Sequence, residues 1–210
     1  MSTLLDQQPI RSALVEVARD FHARGWMAGT AGNLSAKDDA NSFWITVSGR
    51  PKGRLEESDF LLVSVADGEV VERTNKSDKP SAETAIHRAI YTCFPETRAC
   101  LHVHTLDACL AAAAIPADIN ILALPPLEII KGLDIWEEDP KVGLPLFDNY
   151  LDVPKIAEAI VTRFKIVPPQ VPALMVRGHG ITVWGNSLQQ TYNRVEAVEF
   201  ILSYMARIRV

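Results

Sequence analysis

Residues 98–107 read RACLHVHTLD, which sets two imidazoles one residue apart inside an otherwise apolar run. Such a run suits a buried strand. Side chains alternate faces there, so His102 and His104 share one side and Val103 takes the other. Two imidazoles about 7 Å apart on one face can converge on a single ion. The competing reading is a pair of core histidines bonded to carbonyls. His179 shifts the balance: it stands between two glycines in VRGHGITVWG, at the end of an apolar segment. Glycine permits close backbone approach or positive φ, either of which can present a ligand from a strand end. Three histidines form the usual open zinc shell, with a position left for water or substrate. Iron(II) and manganese(II) accept the same donors. Of the other histidines, His22 ends the first helix facing solvent. His87 follows Glu83 at i+4 and either orients or merely pairs with that carboxylate.

The remaining sequence places this run in a layered domain. Ile10–Arg24 carries apolar residues at helical spacing, with Gly25 where a C-cap belongs. SFWITVSG reads as a strand closed by a glycine turn, and FLLVSVADGEVV as two strands about an Asp67-Gly68 turn. A helix follows Pro80, with Ser81 as its N-cap. ACLHVHT is a strand and LDACLAAAAI a short helix. LPPLEIIKGL is ambiguous between loop, pairing and coil. Leu151–Phe164 is an amphipathic helix, ALMVRGHGITVWG a strand pair or bent strand, and Leu188–Arg209 a long closing helix. This order favours an α/β or α+β domain with a central sheet flanked by helices. No linker or repeat divides the chain, so residues 1–210 are expected to form one domain.

Composition narrows the function. The 210 residues are 48% hydrophobic and 22% charged, enough for a sizeable core. A net charge of −5 with scattered Lys and Arg offers no face for nucleic acid. The N-terminus lacks the pattern of a secretory signal, and no apolar run approaches the ~18 residues of a membrane span. Cys93, Cys100 and Cys109 are an odd count without CxxC spacing, as expected of reduced thiols. The expectation is a cytoplasmic protein without membrane or nucleic-acid partners.

Two loops are rich in donors. In GTAGNLS and SGRPKG, backbone N–H groups with Thr30, Asn33, Ser35 and Ser48 could ring a phosphate, and Lys52 could add charge. Ordinary turns are the plainer reading, since neither loop matches a phosphate-binding signature. A metal site that moves protons beside carbon also needs an acid or base. Glu83, at a helix opening, and Glu128, in LPPLEIIKGL, both qualify; they read equally well as a capping residue and a surface group.

GTAGNLS, the SG after a strand, KPSAETAIH, HVH and RGHGITVWG occur together in the order and spacing of the class II aldolase/adducin family, and the chain resembles it from about Leu14 to near the C-terminus. The resemblance implies a class II aldolase-like fold with a central, mainly antiparallel sheet. It implies that His102, His104 and His179 bind one metal ion per subunit, most simply zinc, and that Thr30, Asn33, Ser48, Gly49 and Ser81 line the phosphate end of a small phosphorylated sugar. Lys52 and Arg177 are further phosphate contacts. Ala82 and LEIIKGL are similar to the family's dehydratase branch, whose acid/base corresponds to Glu128, with Glu83 as helper. That implies dehydration of 5-methylthioribulose 1-phosphate in methionine salvage. Aldol cleavage and pentulose-phosphate 4-epimerisation are the alternatives within the fold. They rely on further tyrosine or acidic groups near the C-terminus, and Tyr192 and Tyr204 are read as packing residues. A non-catalytic adducin-like interaction domain is the alternative outside enzymology; retention of the histidines and glutamates argues against it. The family also implies a homotetramer with sites at subunit boundaries, for which Trp136 and Trp184 are candidate contact residues.

Overall fold

The computed structural model describes residues 4–208. Nine strands form one sheet: β1 (Asn33–Lys37), β2 (Ser42–Thr46), β3 (Phe60–Ser64), β4 (Val70–Glu72), β5 (Ala99–Val103), β6 (Ile121–Ala123), β7 (Gly143–Phe147), β8 (Ala173–Val176) and β9 (Gly180–Gly185). Their spatial order is β4-β3-β2-β1-β5-β9-β8-β7-β6. The pairs are antiparallel except β7 with β8. That pair is joined through α4 (Val153–Ile166), the crossover helix a parallel connection requires. The other helices are α1 (Ile10–Ala23), α2 (Thr84–Cys93), α3 (Leu106–Ala113) and α5 (Leu188–Ile208). The last residue expected in α5, Arg209, lies outside the described residues.

Helices cover both faces, which explains why the central strands β1, β5 and β9 are buried along their whole length, polar Asn33, Ser35, His102 and Thr182 included. Leu101 and Val103 of β5 and Ile181 and Val183 of β9 pack with α1, α3 and α5. Cys100 and Trp184, on the opposite face of the same strands, pack with α2 and α4. His102 has the parity of Cys100, and Thr182 that of Trp184. Both therefore face the α2/α4 layer.

Several expectations are corrected. GTAGNLS is not all loop: β1 starts at Asn33 and pairs with both β2 and β5. Ser35 is fully buried and unavailable to an anion. Helix α2 starts two residues later than expected, with Glu83 and not Ser81 at the N-cap position. The Ser81 hydroxyl donates to the Glu83 carboxylate (3.1 Å) instead of capping. Strands β6 and β7 carried no sequence signal. The ambiguous segment resolves into a 3-10 helix, Glu128–Leu133, that packs through Ile130 and Leu133 into the α1/α3/α5 layer. Trp184 is core, stacked on Phe94, not a surface for a partner. Trp136 is 74% exposed. Tyr192 stacks on Phe21 and donates to Asp20 (2.6 Å), as a packing residue would.

Candidate metal centre

Three segments deliver the histidines. His102 lies on β5 opposite Thr182 of β9. His104 lies just beyond β5, where its backbone N–H donates to the Trp26 carbonyl (3.0 Å). His179 occupies the turn between β8 and β9. The flanking glycines there do different things. Gly178 takes φ +60°, and Gly180 lies so close to β5 that a Cβ would come within 2.1 Å of the Val103 carbonyl oxygen. The His102 Nε2 is 2.9 Å from His104 Nε2 and 3.4 Å from His179 Nε2.

Two observations show that these residues fit a cation. Tetrahedral coordination at about 2.0–2.1 Å separates neighbouring nitrogens by about 3.4 Å, close to the spacings found. The rings are also oriented from behind: His102 Nδ1 meets the Thr182 hydroxyl (2.9 Å), and His179 Nδ1 donates to Asn149 Oδ1 (3.3 Å). The amide oxygen of Asn149 leaves the His179 Nε2 lone pair facing inward, and the Thr182 hydroxyl can accept from His102 Nδ1 to do the same there, an arrangement suited to a positive charge between them. Burial, reinforced by the neighbouring rings, pushes His102 well below the ordinary imidazole range and His104 down to about 4. The His102 and His104 rings are thus in the neutral form a metal needs. Thr182 and Asn149 escaped the sequence reading. A lone hydroxyl facing a histidine on a paired strand could have suggested Thr182; nothing in the sequence suggested Asn149.

Glu83 joins this cluster. Its Oε1 is 3.6 Å from His179 Nε2, while Oε2 accepts from Asn33 Nδ2 (2.8 Å) and the Ser81 hydroxyl. Burial by itself would raise this carboxyl; a proton on His179 Nε2, with the nearby His102 ring, would hold it well below the usual carboxylate range, and a cation in place of that proton would act in the same direction. His87 does not pair with Glu83 directly; it bonds Asn33 and Ser35.

The expected phosphate donors divide. Ser48 and Gly49 are exposed and line a cleft of about 500 Å³ with Arg50, Lys79 and Ala82, the neighbour of Glu83. Thr30 is exposed, whereas Ser81 is committed to Glu83. Asn33 is buried, with its amide between His87 and Glu83. Lys52 is sealed from solvent, and its ammonium donates to the Thr30 (2.8 Å) and Arg50 (3.2 Å) carbonyls. It ties the two donor-rich loops together instead of offering itself to an anion. Arg177 is likewise spent, on the carbonyls of Ile115, Pro116 and Ile119 beyond α3. Glu128 stands apart from the histidines. It is exposed, pairs with Lys131 (3.1 Å), and sits on the sheet face opposite Glu83.

Known proteins resemble this chain in sequence and in fold. Residues 12–206 match the family described as Class II Aldolase and Adducin N-terminal domain. The chain belongs to this family. A methylthioribulose-1-phosphate dehydratase of Microcystis aeruginosa is 53% identical over 195 residues, covering 93% of this chain and 94% of the relative. One from Leptospira biflexa is 43% identical over 199 residues, covering 92% and 95%. Among solved members of the fold, L-fuculose-1-phosphate aldolase from Thermus thermophilus superposes with a TM-score of 0.70 at 24% identity, covering 96% of this chain and 94% of that one. YgbL from Escherichia coli gives 0.76 at 24% identity, covering 96% and 89%. Family members are typically metal-dependent, and the triad is where this chain could hold the ion.

Proposed function

We propose that the chain dehydrates 5-methylthioribulose 1-phosphate to 2,3-diketo-5-methylthiopentyl 1-phosphate and water, as a cytoplasmic enzyme of methionine salvage. The observation that carries this reading is the 53% identity, across nearly the full length of both chains, to a protein of that name. A three-histidine cluster with a carboxylate beside it supplies the chemistry the reaction needs. No helix among the described residues is long and apolar enough to cross a membrane, in keeping with a soluble substrate.

His102, His104 and His179 hold the cation, for which zinc is the proposed identity on the grounds of its preference for an open three-histidine shell. When bound, it supplies Lewis acidity to the substrate's C2 carbonyl. The C3 proton passes to a carboxylate, the C4 hydroxyl takes a proton and leaves as water, and the resulting enol tautomerises to the diketone. Glu128 is the proposed acid/base. Its pairing with Lys131 is a surface ion pair worth about 0–1 kcal/mol, so releasing it costs little. Glu83 is held by Asn33 and Ser81 and serves as a fixed negative charge beside the triad. Ser48, Gly49 and Thr30 line the phosphate end, and the loops carrying them are fixed by Lys52.

Glu128 lies on the other sheet face from Glu83, so this reading has it enter the site of a neighbouring subunit in a homotetramer. Trp136 and Ile121, eight residues after Glu128 and seven before it in the chain, are exposed and are the kind of surface a neighbour covers. The test is turnover of 5-methylthioribulose 1-phosphate by metal-loaded protein, with fuculose and ribulose phosphates as controls. Diketone from the first substrate alone is expected, and cleavage or epimerisation of a control with no diketone would overturn the reading. Glu128→Gln should keep its metal and lose turnover. Co-assembled with His104→Ala, it should regain about a quarter of wild-type activity, because random mixing pairs an intact triad with an intact neighbouring Glu128 that often. No recovery in verified mixed tetramers would return Glu128 to its own subunit.

A further inference from the structure

Helix α2 and strand β1 face each other with matched periods. On the helix, His87 and Tyr91 lie four and eight residues beyond Glu83 and so form one stripe; on the strand, Asn33 and Ser35 are two apart and share one face. The two rows interleave into a chain of short contacts. Tyr91 Oη is 2.8 Å from Ser35 Oγ, which is 2.6 Å from His87 Nδ1; His87 Nε2 is 2.5 Å from Asn33 Oδ1, and Asn33 Nδ2 is 2.8 Å from Glu83 Oε2.

The chemistry of each group sets the direction of the chain. An ionised carboxylate only accepts, so Asn33 must turn its NH2 to Glu83 and its oxygen to His87. The His87 Nε2 must then carry the proton. A neutral ring leaves Nδ1 as an acceptor, so the single Ser35 hydroxyl proton goes to it at 2.6 Å instead of to the more distant Cys100 carbonyl (3.3 Å), and Ser35 in turn accepts from Tyr91. His87 and Tyr91 are 0% and 1% exposed. Burial pushes His87 down to about 4, which keeps the ring neutral at physiological pH.

We infer that His87 is a positioning residue: as a fixed Nε2–H donor it locks the Asn33 amide and thereby aims the Glu83 carboxylate at the histidine triad. The ring touches neither the triad nor the substrate cleft, and the chain ends on buried Tyr91, so it orients groups and carries no proton to solvent. Without the His87 donor the Asn33 amide is free to turn over. Its oxygen would then oppose Glu83, and the carboxylate would leave its place beside His179.

Two readouts test this, and only one rests on the proposed dehydration. In ¹⁵N-histidine spectra of zinc-loaded protein at pH 7, the resonances that vanish in His87→Gln should show a bare Nδ1 and a protonated Nε2; an Nδ1–H or doubly protonated ring overturns the inference whatever the enzyme's substrate. For turnover, His87→Leu should lose about 10- to 100-fold in kcat at unchanged metal content. His87→Gln, whose amide reaches Asn33, should restore most of it. His87→Asn reaches only toward Ser35 and should not. Equal turnover in the Gln and Asn variants overturns the inference and, since both are polar and buried alike, decides the matter even if the Leu variant fails to fold. In an Asn33→Ala background the His87 substitutions should cause no further loss; a full additional loss would place the role of His87 elsewhere. A wild-type protein inactive on 5-methylthioribulose 1-phosphate would refute the proposed function, while the spectra still judge His87.

Discussion

Gly180→Ala tests whether the triad depends on how closely β9 approaches β5. The added Cβ would lie 2.1 Å from the Val103 carbonyl oxygen, 3.0 Å from its carbon and 3.2 Å from the His104 Cα. Carbon–oxygen contacts settle near about 3.3 Å, so the two backbones must part by about 1.2 Å at the point where β5 gives way to His104. Neither contact is with a flexible side chain that could swing aside. Overpacking of this kind costs about 1–3 kcal/mol, and a weakened ladder hydrogen bond adds about 1 kcal/mol. For a chain of this length that corresponds to a fall in Tm of about 5–15 °C. The effect on the metal should be larger in proportion. Ligand distances in such a site tolerate about 0.2 Å, and the displacement falls between His104 and His179.

The control is Gly178→Ala, two residues away. It has φ +60° but no atom within 4 Å of an added Cβ, so it should cost only the left-handed strain of about 1–2 kcal/mol and leave β5 in place. Thermal unfolding of the metal-free proteins and chelator competition for zinc measure the two effects separately. Gly180→Ala should lose affinity by a larger factor than Gly178→Ala. A Gly180→Ala protein that melts within about 2 °C of wild type and keeps its metal, or a Gly178→Ala protein that is the more damaged, would show that the close approach of β9 to β5 does not hold the triad.

Thr182→Val removes the hydroxyl behind His102 at nearly constant volume. Metal affinity should drop about 10- to 100-fold with little change in Tm of the metal-free protein; equal affinity by chelator competition would show that Thr182 does not orient the ring. Glu199 of α5 is 2% exposed, and its Oε1 has no hydrogen-bond partner among the described residues. Burial raises its carboxyl to about 8. Between pH 4.5 and 8 the folded state holds a proton that the unfolded state has lost, so this group's contribution to stability falls as pH rises through that window. Glu199→Gln should therefore be more stable than wild type by about 3 kcal/mol at pH 7, with the difference vanishing below pH 4.5. Denaturation midpoints at pH 4, 7 and 8.5 would show it, and a pH-independent difference would sink the account.

What the sequence disclosed and what it hid follow from how local each signal is. Alternation on β5 is a two-residue property, so HVH gave the shared face of His102 and His104 without the fold. The glycines about His179 announced an unusual backbone, and the structure assigns one to a positive φ and the other to a close approach. Strands β6 and β7 could not be found that way, because each is short and defined by its neighbour. Lys52 and Arg177 were misread for a related reason. A cation beside glycines resembles an anion site until the buried carbonyls it must satisfy come into view, and those of Ile115–Ile119 are about 60 residues from Arg177 in the chain. The two glutamates bring out the same limit most clearly. Glu83 reads as a helix cap by position, yet its partners Asn33 and His179 come from β1 and the β8–β9 turn, 50 and 96 residues away. The proposed role of Glu128 rests on a motif, and the proposal brings in a second subunit because this residue is exposed on the sheet face opposite Glu83, a relation that no stretch of neighbouring residues encodes.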